Sequence, residues 1–162
     1  MLRWQPAYVG LGSNLGNPRD RVLEAGERLR EIPGTRRVLL SRLYRSSPLG
    51  PVAQPDFVNA AAALLTQLDP EALLEALQGI ESAMGRPAKR ERWGPRVIDL
   101  DLLALGQERR AGPGLTLPHP GIVDRNFVLY PLAEIAPDAD LPGLGRVAAL
   151  AGRVGSGGLT LL

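Results

Sequence analysis

The order in which hydrophobic periodicities follow one another constrains this chain most. Ala7 to Leu11 is an apolar run that opens into Gly12-Ser13-Asn14-Leu15-Gly16, the mark of a buried strand ending in a tight turn. A helix follows, with Asn17 to cap it, Pro18 at its first position and Val22, Ala25, Gly26 and Leu29 on one face, and Pro33-Gly34 stops it. Val38 to Tyr44 reads as one strand, and Phe57 to Thr66 as a buried strand in spite of the alanines Ala60 to Ala63. Asp69-Pro70-Glu71 opens a second helix whose stripe is Leu73, Leu77, Ile80 and Met84, and Gly85 ends it. From Val97 to Leu105 the pattern alternates, so that Ile98, Leu100 and Leu102 face one way and Asp99, Asp101 and Leu103 the other.

Strand, helix, strand, strand, helix, strand is the split βαβ plan: an α/β (α+β) ferredoxin-like βαββαβ sandwich, its mainly antiparallel sheet covered by two helices on one face. A short strand at Leu115–Leu117 and a third helix from Val128 to Ile135 are expected beyond it, and the glycine-rich tail from Leu141 onward is expected to be loosely held. At 162 residues the chain has the length of one domain, 1–162.

Composition removes several classes of function. There is no cysteine, hence no disulfide, thiolate metal site or thiol nucleophile. The longest apolar run, Ala60 to Leu65, is far short of the roughly 20 residues a spanning helix needs, and Arg3 and Pro6 interrupt the N-terminus where a signal peptide would be apolar. A cytoplasmic protein without membrane contact is the expectation. The net charge is only +2, which gives no large field to gather nucleic acid.

The sharpest chemical feature is Asp99-Leu100-Asp101. Strand alternation puts both carboxylates on one side, where their oxygens can converge on hard cations such as magnesium. A half-exposed strand with two solvent-side acids is the plainer reading of the same three residues. Just upstream, residues 86–96 hold Arg86, Lys89, Arg90, Arg92 and Arg96 against Glu91 alone. A polyphosphate with magnesium would satisfy both the acids and these cations, although a solvated loop would also look like this. With Gly94 and Pro95 near its end and Trp93 as an apolar anchor, the stretch could close over a ligand as a lid.

The glycines from Gly10 to Gly16 fit neither the dinucleotide fingerprint nor the P-loop and read as a structural turn. His119, the one imidazole, sits in the rigid loop Leu117-Pro118-His119-Pro120, where a structural role is the simpler one. Phe57 and Asn59 lie on one strand face as an apolar plate and an amide, suited to a flat heterocycle or equally to the core.

Gly12-Ser13-Asn14-Leu15-Gly16, Gln54-Pro55-Asp56-Phe57-Val58-Asn59-Ala60, RWGPRVIDLDLL from Arg92 to Leu103, and then LPHP and RNFVLYPLAEIAP together resemble the 6-hydroxymethyl-7,8-dihydropterin pyrophosphokinase family. The resemblance runs from about Ala7 to Pro137. It implies transfer of the β,γ-diphosphate of ATP to the hydroxymethyl group of a dihydropterin, with release of AMP, on a ferredoxin-like fold.

By the same resemblance, Asp99 and Asp101 hold two magnesium ions, and Arg86 and Arg96 contact the transferring phosphates. Gln78, Glu81, Lys89, Ile98, His119 and Arg125 fall at nucleotide-binding places. Phe57 and Phe127 sandwich the pterin, Asn59 bonds its edge, Ser46 and Leu49 complete the pocket through their backbone, and Arg92 and Trp93 fold in with the lid. Ala88 and Pro120 depart from side chains common in the family and bear on nucleotide affinity. The implied partners are the two small-molecule substrates, with the protein a monomer. An RNA-binding ferredoxin-like module is one rival, though paired acids would repel its ligand. Another is a different magnesium-dependent phosphoryl or nucleotidyl transferase.

Overall fold

The computed structural model describes residues 3–86 and 96–162. Strand β1 (Gln5–Ser13) is followed by helix α1 (Pro18–Leu29), β2 (Thr35–Leu40), β3 (Tyr44–Ser46), β4 (Phe57–Thr66), α2 (Pro70–Ala83) and β5 (Asp99–Leu105). Then come the short strands β6 (Arg110–Ala111) and β7 (Thr116–Leu117), a 3-10 turn (Ile122–Asp124), α3 (Asn126–Ile135), β8 (Asp140–Leu141), β9 (Gly145–Arg146), α4 (Val147–Val154) and β10 (Leu159–Leu161).

The expected caps are in place. Asn17 Oδ1 accepts the Asp20 N–H at 3.3 Å and Asp69 Oδ1 the Ala72 N–H at 2.8 Å, each with proline at the start of its helix.

The six-stranded sheet runs β10-β3-β4-β1-β5, with β2 beside β3 along the same edge of β4, and every pairing is antiparallel. This is the ferredoxin-like arrangement. On one face, Ala7, Val9, Leu11, Val58, Leu64, Leu100 and Leu102 pack with Val22, Ala25 and Leu29 of α1 and Leu73 and Leu77 of α2. Each such leucine contributes roughly 1.5–3 kcal/mol by leaving water.

The opposite face is also covered over part of its area, which the two-helix expectation omits. Ala61, Leu103 and Ala104 there meet Leu129 and Leu132 of α3 and Val147, Leu150 and Ala151 of α4.

Two expectations are corrected. Val38–Tyr44 is not one strand: β2 pairs Leu40 with Ala62, then the chain leaves the ladder, and β3 resumes with Tyr44 opposite Asn59. Ser41 makes the break, because its hydroxyl accepts the Ala61 N–H at 2.9 Å where a backbone carbonyl would continue the ladder. Nor is the tail loosely held. Leu141, Val147 and Leu150 are buried and β10 extends the main sheet, so its glycines mark turns between short elements.

Candidate active site

The face that α3 and α4 leave uncovered is a cleft of about 340 Å³ whose floor is β1. Asp99 lies opposite Gly12 and Asp101 opposite Gly10, while on its other side Gly12 lies opposite Asn59 of β4. Directly opposed residues point to the same face, so both acids and the amide rise around a floor that carries no side chain. The space is specific: a Cβ on Gly12 would sit 3.2 Å from Asn59 Oδ1 and 3.8 Å from Phe57 Cδ1. Both glycines belong to the strand, since β1 continues to Ser13, past the turn expected after Leu11.

One end of the cleft is charged. Arg86 Nη1 is 3.4 Å from Asp99 Oδ1 and Arg96 Nε 3.6 Å from Asp99 Oδ2. Arg86 also donates to Glu81 Oε2, and that oxygen accepts the Leu100 N–H at 2.8 Å, so buried Glu81 ties α2 to β5 directly beside the acids.

Burial, and then the neighbouring Asp101 charge, push the Asp99 carboxyl up to about 6, against the pull of Arg86, Arg96 and Arg125. His119 completes this end. Its Nδ1 accepts the Gly121 N–H at 3.0 Å, which leaves Nε2–H as a donor, and burial, opposed by Asp101 and assisted by Arg125, holds the ring below its ordinary pKa. Arg125 lines the same end.

The other end suits a flat ring. Phe57 and Phe127 line it with Leu49 and Ser46. Asn59 Nδ2 donates to Ser46 Oγ at 2.7 Å, and this bond fixes the amide with Oδ1 over the glycine floor as an acceptor. Both residues are buried, so a ligand that lacks a matching donor would leave Oδ1 unpaired.

Ser46 thus holds the amide through its hydroxyl, where the resemblance implied a part for its backbone alone. Asn14 is a further residue that sequence reasoning missed. Its Nδ2 donates to Gln54 Oε1 and Pro55 O at 2.8 and 2.9 Å, its Oδ1 accepts the Arg96 N–H at 2.7 Å, and its own N–H reaches Arg96 O at 3.0 Å. The glycine-turn signal around it gave no hint of this clamp on Arg96.

The cleft therefore gathers Ser46, Leu49, Phe57, Asn59, Arg96, Asp99, Asp101, His119, Arg125 and Phe127, with Arg86 in contact through Asp99. Three candidates stand apart from its lining. Gln78 borders a separate shallow hollow with Glu71 and Arg110, Ile98 is wholly buried against the helices, and Glu81 is engaged as above. Lys89, Arg92 and Trp93, together with Ala88 and the stretch read as a lid between Arg86 and Arg96, lie outside the described residues.

Among the described residues no group of three or more acidic, histidine or cysteine side chains is gathered to hold a metal ion. Asp99 and Asp101 offer hard carboxylate oxygens only. That donor set suits magnesium, which takes one or two carboxylates and completes its shell with water and substrate phosphate.

Residues 8–137 match the family model described as 7,8-dihydro-6-hydroxymethylpterin-pyrophosphokinase (HPPK). Among similar curated proteins, the 2-amino-4-hydroxy-6-hydroxymethyldihydropteridine pyrophosphokinase of Pseudomonas aeruginosa is 51% identical over 138 residues, 85% of each chain. The enzyme of the same name from Haemophilus influenzae is 46% identical over 136 residues, 84% of each chain. Among solved structures, wild-type Plasmodium falciparum HPPK-DHPS superposes with a TM-score of 0.70 at 15% identity; the match takes in 93% of this chain and 41% of that one.

Proposed function

The chain belongs to the 7,8-dihydro-6-hydroxymethylpterin-pyrophosphokinase family, and we infer that the cleft on the open face of its sheet is where the family's reaction runs. The protein is a pyrophosphokinase that transfers diphosphate from ATP to the hydroxymethyl group of hydroxymethyldihydropterin in folate biosynthesis. What supports the cleft as the site is the joining of two same-face acids, flanked by arginines, to a recess lined by Phe57 and Phe127 that holds a buried amide.

In this reading the pterin lies between Phe57 and Phe127 over the glycine floor, its edge donating to Asn59 Oδ1. Its hydroxymethyl oxygen then points toward Asp99 and attacks the β-phosphorus of ATP. The new bond joins that oxygen to the β-phosphorus, the bond between the β-phosphorus and the α,β-bridging oxygen breaks, and AMP leaves. The hydroxyl proton passes to solvent without a dedicated general base, Asp99 being the nearest group that could assist.

Arg86 and Arg96 neutralise the charge that spreads over the transferring group, and His119 Nε2–H and Arg125 donate to the remaining phosphate oxygens. Asp99 and Asp101 would hold two magnesium ions, whose positive charge screens the polyphosphate and makes the attacking hydroxyl more acidic. Most of the catalysis asked of the chain is positioning and charge placement. Gln78, Glu81, Lys89 and Ile98 belong to the nucleotide side and Arg92 and Trp93 to the pterin side of the same reading.

The proposal extends to one domain over residues 1–162, working as a cytoplasmic monomer on small molecules without nucleic acid. Among the described residues no helix is long and apolar enough to cross a membrane.

The deciding experiment is the identity of the nucleotide product. With ATP, magnesium and hydroxymethyldihydropterin, AMP should accumulate in step with the pterin diphosphate. ADP in its place, or no turnover by folded protein, would overturn the reading.

A further inference from the structure

The tail beyond residue 137, which the family match does not reach, bonds to Asn126 and pairs with β3, next to two lining residues of the cleft. Two walls of the ring-shaped end come from elements distant in sequence: Ser46 from the end of β3 and Phe127 from the first turn of α3. At the far end of α3 these elements are joined directly, for Glu134 accepts hydrogen bonds from the Tyr44 hydroxyl and, at 2.8 Å, from the Arg42 N–H. Beside the cleft, where α3 packs on β4 and β4 pairs with β3, the tail adds a second join.

Asn126, next to Phe127, donates from Nδ2 to Gly155 O at 3.1 Å and Gly157 O at 2.8 Å. Immediately after this turn, β10 pairs with β3, Leu159 opposite Ser46 and Thr160 opposite Arg45. Gly155 and Gly158, with φ of 74° and 73°, shape the turn that receives the Asn126 bonds and leads into the strand.

We infer that the turn at 155–158 and strand β10, fastened by Asn126, are a positioning element that sets the distance between the Ser46 and Phe127 walls of the pterin pocket. This rests on the reading of that end of the cleft as the pterin site. Asn126 and Thr160 act through Phe127 and Ser46 and touch no substrate themselves. Loosening the tail lets Phe127 move away from Phe57, so ring affinity falls while the phosphate end, held by Asn14, Glu81 and β5, keeps its shape.

Two substitutions test this in the full-length protein. Asn126→Ala removes both bonds to the turn. Thr160→Pro removes a ladder bond: the Leu162 N–H donates to Leu43 O, and antiparallel alternation then makes Thr160 the next hydrogen-bonded partner, opposite Arg45. Dissociation constants are measured by calorimetry for 6-hydroxymethylpterin and, separately, for magnesium with α,β-methylene-ATP, with Phe57→Ala and Phe127→Ala as references for the pocket.

Each tail variant should weaken pterin binding roughly 3- to 30-fold, the loss of one or two hydrogen bonds, with nucleotide binding within about twofold of the parent. Unchanged pterin affinity in the tail variants, with the phenylalanine variants impaired, would overturn the inference and leave the pocket standing. Equal loss of both ligands would overturn it in favour of a general stabilising role. Phenylalanine variants that bind pterin normally would refute the pocket itself. Should Thr160→Pro fail to fold, Asn126→Ala alone decides.

Discussion

At Asp99 two demands oppose each other. In its proposed role the carboxylate must be ionised to serve a cation, yet its position in the cleft makes the charge costly, which is why its pKa rises to about 6. A raised folded-state pKa means that the folded chain holds the proton more tightly than the unfolded one. Asp99 then contributes stability that is present below the ordinary carboxylate range and is lost as pH rises through about 6. Without divalent cations, Asp99→Asn should therefore melt higher than the parent at about pH 8, with the advantage gone near about pH 4. A thermal scan at each pH checks this. Turnover by Asp99→Ala and Asp101→Ala should fall below detection in folded protein; rates near normal would remove the acids from the mechanism. The acids were legible in the sequence because a period of two leaves no choice of face. For His119 only the resemblance pointed to the site, and its orientation was not legible, since a lone imidazole among prolines carries no sign of the backbone N–H that orients it.

At the level of elements, β1 does two jobs with one stretch of chain. Its Gly10 and Gly12 clear the floor, and Asn14, just beyond its end, clamps Arg96 and the 54–55 loop. Asn14→Ala would strand the Arg96 N–H and break two further bonds, which should lower stability by about 2–3 kcal/mol in urea unfolding and reduce kcat through a misplaced Arg96. Loss of stability without loss of kcat would confine Asn14 to folding. Strand β4 and helices α1 and α2 were readable from periodicity and caps. The division of β2 from β3 was not, because Ser41 acts through a hydrogen bond to a strand 20 residues away. The glycine turn concealed Asn14 for the same reason, its partners being non-local.

For the whole molecule, the sequence pattern conveyed the βαββαβ core, whose order follows from local signals. It did not convey what closes the second face or extends the sheet's edge, because α4 and β10 are short: α4 is buried by packing chiefly on α3, and β10 forms by pairing with β3. In the proposed metal site, Asp99 is also paired with Arg86 and Arg96, contacts of the fold that do not run through a cation. Chelation by EDTA should stop turnover while shifting the melting temperature by no more than about 2 °C, less than 1 kcal/mol for a chain of this size. A large drop on chelation would make the ion structural.

The bare floor of the cleft also bears on how this enzyme could be inhibited and how it could escape. A flat compound resting on the backbone of β1 meets main-chain atoms at Gly10 and Gly12, which cannot be exchanged for another chemistry. Resistance by mutation there would require adding bulk, and, with the pterin seated as proposed, bulk large enough to expel the drug would expel the substrate from the same space.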